Sequence, residues 1–174
     1  MQASRMEQVS FAEVTTPEDI RRVADLARQI WMEHFVPIIG EAQTVYMIER
    51  FQSTAAVTRQ IAAEWYRYYL IMTSAAPAGY FAVQPQGDTL FLSKLYVDLP
   101  CRRKGIARQA VAFLEGICRR DGFSRIRLTV NKRNFSSISA HDRLGFVRVE
   151  DIVTDIGEGF VMDDYGMEYI PTPC

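Results

Sequence analysis

The stretch that most constrains this chain is LFLSKLYVDLPCRRKGIARQAVAFLEG, residues 90–116, in which an extended run passes through a basic loop directly into a helix. Apolar residues alternate up to Val97 and then recur at helical spacing through Ile106, Ala110, Val111, Leu114, Ile117 and Cys118. Such a junction sets a helix N-terminus, with its unpaired N–H groups and partial positive charge, at the end of a strand. Gly105 lets backbone approach a ligand, Ala107 keeps the first turn uncrowded, and Arg102, Arg103 and Lys104 add cations around Ile106. Together these features suit a pyrophosphate. The spacing is neither that of a P-loop nor G-x-G-x-x-G, so a nucleoside triphosphate or NAD is the weaker reading.

The rest of the chain frames this junction. Val9 to Thr15 reads as a strand, and Thr16, Pro17, Glu18 and Asp19 supply the cap, proline and acidic first turn of a helix that runs to about His34 to Pro37. Further helices are expected at about Glu41 to Phe51 and Ala55 to Trp65, followed by a meander of YYLIMT, GYFAVQ and TLFLSKLYV. After the central helix come a strand at Arg125 to Val130, a short helix at about Ser136 to Leu144 closed by Gly145, and a final hairpin turning at Gly157-Glu158-Gly159. The expected architecture is α+β, a mixed and mainly antiparallel twisted sheet of about seven strands with helices on both faces. At 174 residues and 48% hydrophobic content, with no linker or repeat, one domain spanning 1–174 is expected.

Twenty Lys+Arg against 21 Asp+Glu leave a net charge of −1, so no global field draws in nucleic acid or a membrane surface, and an anion site must be local. Cys101, Cys118 and Cys174 are an odd number without paired spacing, which argues against a disulfide framework and a four-ligand zinc site and for a reducing compartment. The N-terminus lacks an apolar signal region and no run of ~18 apolar residues occurs, so a cytoplasmic location is expected.

With these residues in view, the sequence resembles the GNAT superfamily of acyl-CoA-dependent N-acetyltransferases. Its pyrophosphate loop, Gln/Arg-x-x-Gly-x-Gly/Ala, is matched by Arg102-x-x-Gly105-x-Ala107. NKRNFSSISAHDRLGF is similar to the family's second block, through Asn134, Ser137, Ile138, Gly145 and Phe146. His141 stands where the family usually has Tyr, and Ser137 where it usually has Ala. Trp31, the run YMIERFQS and the run GFVMDDYGME resemble a bacterial branch that includes polyamine acetyltransferases. The resemblance implies acetyl-CoA as cosubstrate and a strand Ser93 to Val97 splayed from its neighbour. Leu95, Tyr96 and Val97 would then face the pantetheine arm, and Arg102, Arg103, Lys104, Gly105, Ile106 and Ala107 the pyrophosphate. Asn134 would contact the CoA arm, and Arg143 an adenosine phosphate.

The reaction sets further requirements. An alkyl ammonium, with a pKa near ~10, must lose a proton before it attacks a thioester, and the leaving thiolate needs a donor. A carboxylate acting through water is expected as base, with Glu41 the candidate for that role or for the amine pocket. His141 is the candidate general acid or, as a neutral ring, a hydrogen-bond partner of the sulfur or a residue that positions the cosubstrate. Glu33, Asp163 and Asp164 are candidates for an amine pocket, with strand alternation allowing only one of the two aspartates to point inward. No metal is required. The expected activity is acetyl transfer to a primary amine of a small molecule, a polyamine among the candidates; peptide N-acetylation and a non-catalytic acyl-CoA-binding module are the alternatives. An exposed C-terminal strand offers an edge for a homodimer. His34 reads as a helix-end histidine satisfying nearby carbonyls, Cys101 as incidental, and Trp65, Tyr66, Tyr68 and Tyr69 as core and sheet edge.

Overall fold

The structure, a computed structural model, describes residues 6–74 and 76–173. Cys174 lies outside the described residues. Helix α1 (Pro17–His34) follows strand β1 (Ser10–Glu13) and opens on a capping box: Asp19 N donates to Thr16 Oγ1 at 3.1 Å, and Thr16 N donates to Asp19 Oδ2 at 3.3 Å. Its buried stripe is Val23, Ala27, Ile30 and Trp31. Two short helices follow, α2 (Val36–Ile39) and α3 (Glu41–Met47).

The expected second helix changes winding before its end, since Ile48–Gln52 is a π-helical turn, and α4 (Thr54–Ala63) begins at the Ser53 cap. The α4 helix stops two residues short of Trp65, which is 81% exposed at φ +62° and so is not the core residue expected from its aromatic neighbours. Tyr68 and Tyr69 are buried as expected.

Seven strands form one sheet in the order β1-β2-β3-β4-β5-β7-β6: β2 (Arg67–Met72), β3 (Pro77–Gln86), β4 (Thr89–Val97), β5 (Arg125–Asn131), β6 (Val147–Gly157) and β7 (Phe160–Tyr169). All pairs are antiparallel except β4–β5. Helix α5 (Ile106–Asp121) buries Ile106, Ala110, Val111 and Leu114 on one face with Phe81, Val83 and Leu90, while α1 and its neighbours cover the other with Tyr68, Leu70 and Tyr80. Helix α6 (Phe135–Leu144) ends at Gly145, whose φ of +101° lets the chain turn straight into β6. Among the described residues no helix is long and apolar enough to cross a membrane.

Two irregularities in β4 shape the molecule. Its pairing with β3 shifts register between Ala82 and Val83, so that Ala82 faces Lys94 and Val83 faces Leu92, leaving Ser93 as the extra residue of a bulge. On its other edge β4 pairs with β5 only from Thr89 to Phe91. Beyond Phe91, β5 bonds only to β7, and the two central strands part.

The far end of β4 is held by β3 alone, where Gly79 faces Val97. A Cβ at Gly79 would collide with the Tyr96 carbonyl oxygen and lie 3.1 Å from Val97 Cα. Gly79→Ala is therefore expected to cost about 2 kcal/mol or more, read as a shifted denaturant midpoint. An unchanged midpoint would mean the β3–β4 edge yields freely.

Candidate active site

Where β4 and β5 part, a cleft runs between the two halves of the sheet and reaches both cores. One side is lined by Trp31, Phe35, Ile39 and Met47 from the N-terminal helices, with Met162 and Asp164 from β7; the other is lined by Leu92 to Leu95, Asn134, Ser137 and His141. Asn131 of β5 lies opposite Asp164 of β7.

Strand alternation separates the two aspartates. Asp164 is 5% exposed and faces the cleft, whereas Asp163 is exposed and pairs with Lys132 at 2.9 Å. Burial pushes the Asp164 carboxyl up to about 6, Asp163 adds to the rise, and Lys132 opposes it. A group at that value is ionised at neutral pH and still basic enough to hold a proton briefly.

His141 also lines the cleft, with its Nδ1 shielded and lacking a hydrogen-bond partner among the described residues. Burial pushes its imidazole down to about 4, against a smaller opposing effect of Asp142. The ring is neutral near pH 7, so it can offer one N–H to a forming thiolate but no imidazolium proton. Of the two roles expected of His141, burial favours the neutral hydrogen-bond partner of the sulfur over the charged general acid.

Glu41 and Glu33, expected as base and pocket carboxylate, are exposed and do not line the cleft. Glu33 sits off the buried stripe of α1, and Glu41 opens α3 toward solvent.

Arg102 is half-buried; its Nε donates to the Val97 carbonyl at 2.8 Å and its Nη1 lies 3.5 Å from His34 Nδ1. Of the strand groups expected to meet the pantetheine arm, the Val97 carbonyl is thus occupied, and the Tyr96 ring lies on the far side against Trp31 and Phe35. Leu95 is half-buried in the cleft wall. Lys104 pairs with Glu7 at 3.0 Å, Arg103 is exposed at φ +62°, and Ala107 is half-buried. The Ile106 side chain is in the core, so only its backbone is available to a ligand. Arg143 is turned onto its own helix, donating to Ser139 Oγ at 2.8 Å.

Two residues have roles that the sequence reading did not give them: His34, expected to satisfy helix-end carbonyls, and Lys94. His34 Nε2 lies 3.0 Å from Asn134 Oδ1, the side-chain oxygen that also caps α6 by accepting from Ser137 N. A neutral ring donating from Nε2 leaves Nδ1 to accept from Arg102, so His34 joins the two elements expected to hold the cosubstrate. Burial holds its pKa below the usual imidazole value, opposed by the Asn134 hydrogen bond and aided by a smaller effect of Arg102. The signal was helical phase: Val23, Ala27, Ile30 and His34 lie on one face of α1. Lys94 is 6% exposed and donates to the Phe51 carbonyl at 3.0 Å, to Gln60 Oε1 at 2.8 Å and to the Tyr68 hydroxyl. Burial lowers its pKa to about 7. No sequence pattern announced it, because the Ser93 bulge reverses the faces of the strand.

The fit to a CoA-like ligand rests on three observations. Gly105 begins α5 at φ +76° without a side-chain cap, no acidic residue stands in the first turn, and one edge of β4 beyond Phe91 lacks a partner strand. Donors at a helix start and an open strand edge suit a pyrophosphate followed by an amide-bearing arm. A mixed sheet parted at its centre over such a loop is the arrangement that the resemblance to acyl-CoA-dependent transferases implies.

The comparisons agree. A profile of the acetyltransferase (GNAT) family matches residues 26–146, so the chain belongs to the GNAT acetyltransferases, and acetyl-CoA is its acyl donor. A PaiA N-acetyltransferase from Thermoplasma acidophilum in complex with coenzyme A is similar to it with TM-score 0.78 at 18% identity, covering 94% of this chain and 99% of that one. The ribosomal-protein-S18-alanine N-acetyltransferase of Escherichia coli gives TM-score 0.69 at 15% identity, covering 96% of each chain. Spermidine N-acetyltransferase from Vibrio cholerae in complex with CoA and spermine gives 0.66 at 14% identity, covering 94% of this chain and 96% of that one. At these identities the likeness concerns the fold. No curated protein sequence matches the chain. Among the described residues no group of three or more His, Cys, Asp or Glu is placed to hold a metal ion.

If His34 orients Arg102 and Asn134 for the cosubstrate, His34→Ala should raise KM for acetyl-CoA roughly five- to ten-fold, the scale of one or two lost hydrogen bonds, while kcat changes less than about two-fold. His34→Gln, which keeps a donor and an acceptor, should recover most of the loss. Steady-state kinetics at a saturating amine checks this; a fall in kcat with KM unchanged would contradict it.

Proposed function

We propose that this chain, acting as one domain, moves the acetyl group of acetyl-CoA to a primary amine of a small molecule in a ternary complex, with Asp164 receiving the ammonium and its proton. The observation that carries the reading is the buried carboxylate of Asp164 in the cleft that opens beyond the end of β4–β5 pairing. Acetyl-CoA supplies the acyl group as an activated thioester.

The chain's residues then have these tasks. Asp164 pairs with the ammonium and takes one proton, and the apolar wall of Trp31, Phe35 and Met162 excludes water. From an ammonium at its ordinary value to Asp164 at about 6, that transfer runs uphill by about 4 pK units, roughly 5 kcal/mol. Burying the ammonium among apolar side chains lowers its own pKa and narrows the gap. The freed amine nitrogen bonds the carbonyl carbon, and the C–S bond breaks with its electrons on sulfur. The second nitrogen proton passes to the thiolate, and Asp164 returns its proton to solvent. An open N–H of the β4 edge would stabilise charge on the carbonyl oxygen, and the His141 N–H or the α5 start would stabilise the sulfur. The buried, cleft-facing Asp164 supports this role better than Glu41, which is exposed and outside the cleft.

Asp164→Asn should lower kcat/KM by about 10²-fold or more. The wild type should lose activity as pH falls through about 6, where Asp164 gains its proton; among the groups acting on it, Lys132 stays charged there, and Tyr96 stays neutral. The Asn variant should lack that limb. Because the folded pKa is raised above the ordinary 3.8, the folded state holds the proton more tightly, and stability is lost as pH rises from about 4 through 6. Asp164→Asn should therefore raise Tm more at pH 7.5 than at pH 5. Acetyl-CoA binding with no thiol release above background for any amine would replace this reading with that of a binding module.

A further inference from the structure

The acceptor end of the cleft is built around a single negative charge. Among the described residues lining the whole cleft, Asp164 is the only carboxylate and Lys94 the only basic side chain besides the histidine His141. Glu33 and Glu41 stand outside, and Asp163 points away with its charge matched by Lys132. The remaining acceptor wall is apolar or uncharged. Trp31 and Phe35 have ring centroids 4.3 Å apart, and each meets Tyr96 edge-on, at 5.4 and 5.9 Å. Ile39, Met47 and Met162 continue the surface, and Gln43 is engaged in donating to the Val161 carbonyl at 2.9 Å.

We propose that the acceptor is a primary amine with one cationic nitrogen on an aromatic or aliphatic body, and not a polyamine; this rests on the acetyl-transfer reading above. Asp164 matches one ammonium with one carboxylate. A second ammonium drawn into the cleft would meet methionine, isoleucine and aromatic side chains with no anion, and a buried unpaired charge is strongly disfavoured. An apolar body instead gains from burial against the same surface, and the rings of Trp31, Phe35 and Tyr96 favour a cation nearby and an aromatic body beside them. The balance of the transfer is unchanged: one N–C bond forms, one C–S bond breaks, and one net proton leaves.

The test measures thiol release from acetyl-CoA by the full chain with phenethylamine, n-hexylamine, spermidine and a short alanine-initiated peptide, comparing kcat/KM. Phenethylamine or hexylamine should exceed spermidine by roughly ten-fold or more, a difference within what a pocket can discriminate. Spermidine or the peptide matching or outrunning the simple amines would overturn the single-charge acceptor while leaving acetyl transfer standing. Turnover of none, with acetyl-CoA bound, would overturn the transfer reading itself. As a second measurement, Met162→Glu sets a new carboxylate two residues from Asp164 on the same strand face. It should raise the spermidine to phenethylamine ratio at least about ten-fold, and an unmoved ratio would show that charge count in this cleft does not choose the acceptor.

Discussion

The early end of β4–β5 pairing is the constraint on which the site depends. Parallel hydrogen bonding stops at Phe91, yet β4 continues to Val97 on the strength of β3 alone. Backbone groups without partners are costly unless something else satisfies them, so an open edge in the middle of a sheet marks a place kept for a ligand. The Ser93 bulge at the fork reverses the faces of the strand. It sends Leu95 and Val97 toward the α5 core and Tyr96 toward the α1 core, so one strand serves both walls of the cleft. Gly79 makes this possible by letting β3 approach the Tyr96 carbonyl more closely than any side chain would allow.

Burial acts on two groups of this cleft in opposite directions. It raises Asp164 to about 6 and lowers His141 to about 4 because in each case the charged form is the one that loses its water. At neutral pH the outcome is one ionised carboxylate and one uncharged ring. The carboxylate suits an ammonium that must be held and then deprotonated, and the ring suits a sulfur that needs a dipole more than an acid. His34 works on a different link. It carries the end of α1 to Arg102 and Asn134, so that the helix walling the acceptor end is tied to the elements fitted to the cosubstrate.

Much of this was legible in the sequence because the signals were local. The Thr16 cap, the Gly105 start of α5 and the Gly145 stop are each settled by a few adjacent residues, and all occur in the structure. Alternation alone showed that Asp163 and Asp164 could not both face inward; choosing between them required the pairing of β7 with β5 and β6. His34 lay within reach of the sequence through its phase on the α1 stripe, and the same phase argues against Glu33. Lys94 lay outside it. Strict alternation would set it beside Leu90 and Leu92, and only the bulge turns it toward Gln60 and the Phe51 carbonyl, which is itself presented by a π-helical turn that ordinary helical periodicity does not foresee.

The central claim is that the open edge of β4 and the start of α5 receive the acyl donor. Amide hydrogen exchange of the full chain, followed with and without saturating CoA, tests it directly. The account predicts slowed exchange in segments covering Leu92–Val97, Arg102–Arg108 and Asn134–Ile138, with the β1–β2 edge unchanged. Tight binding that protects other segments and leaves the β4 edge exchanging as before would contradict it.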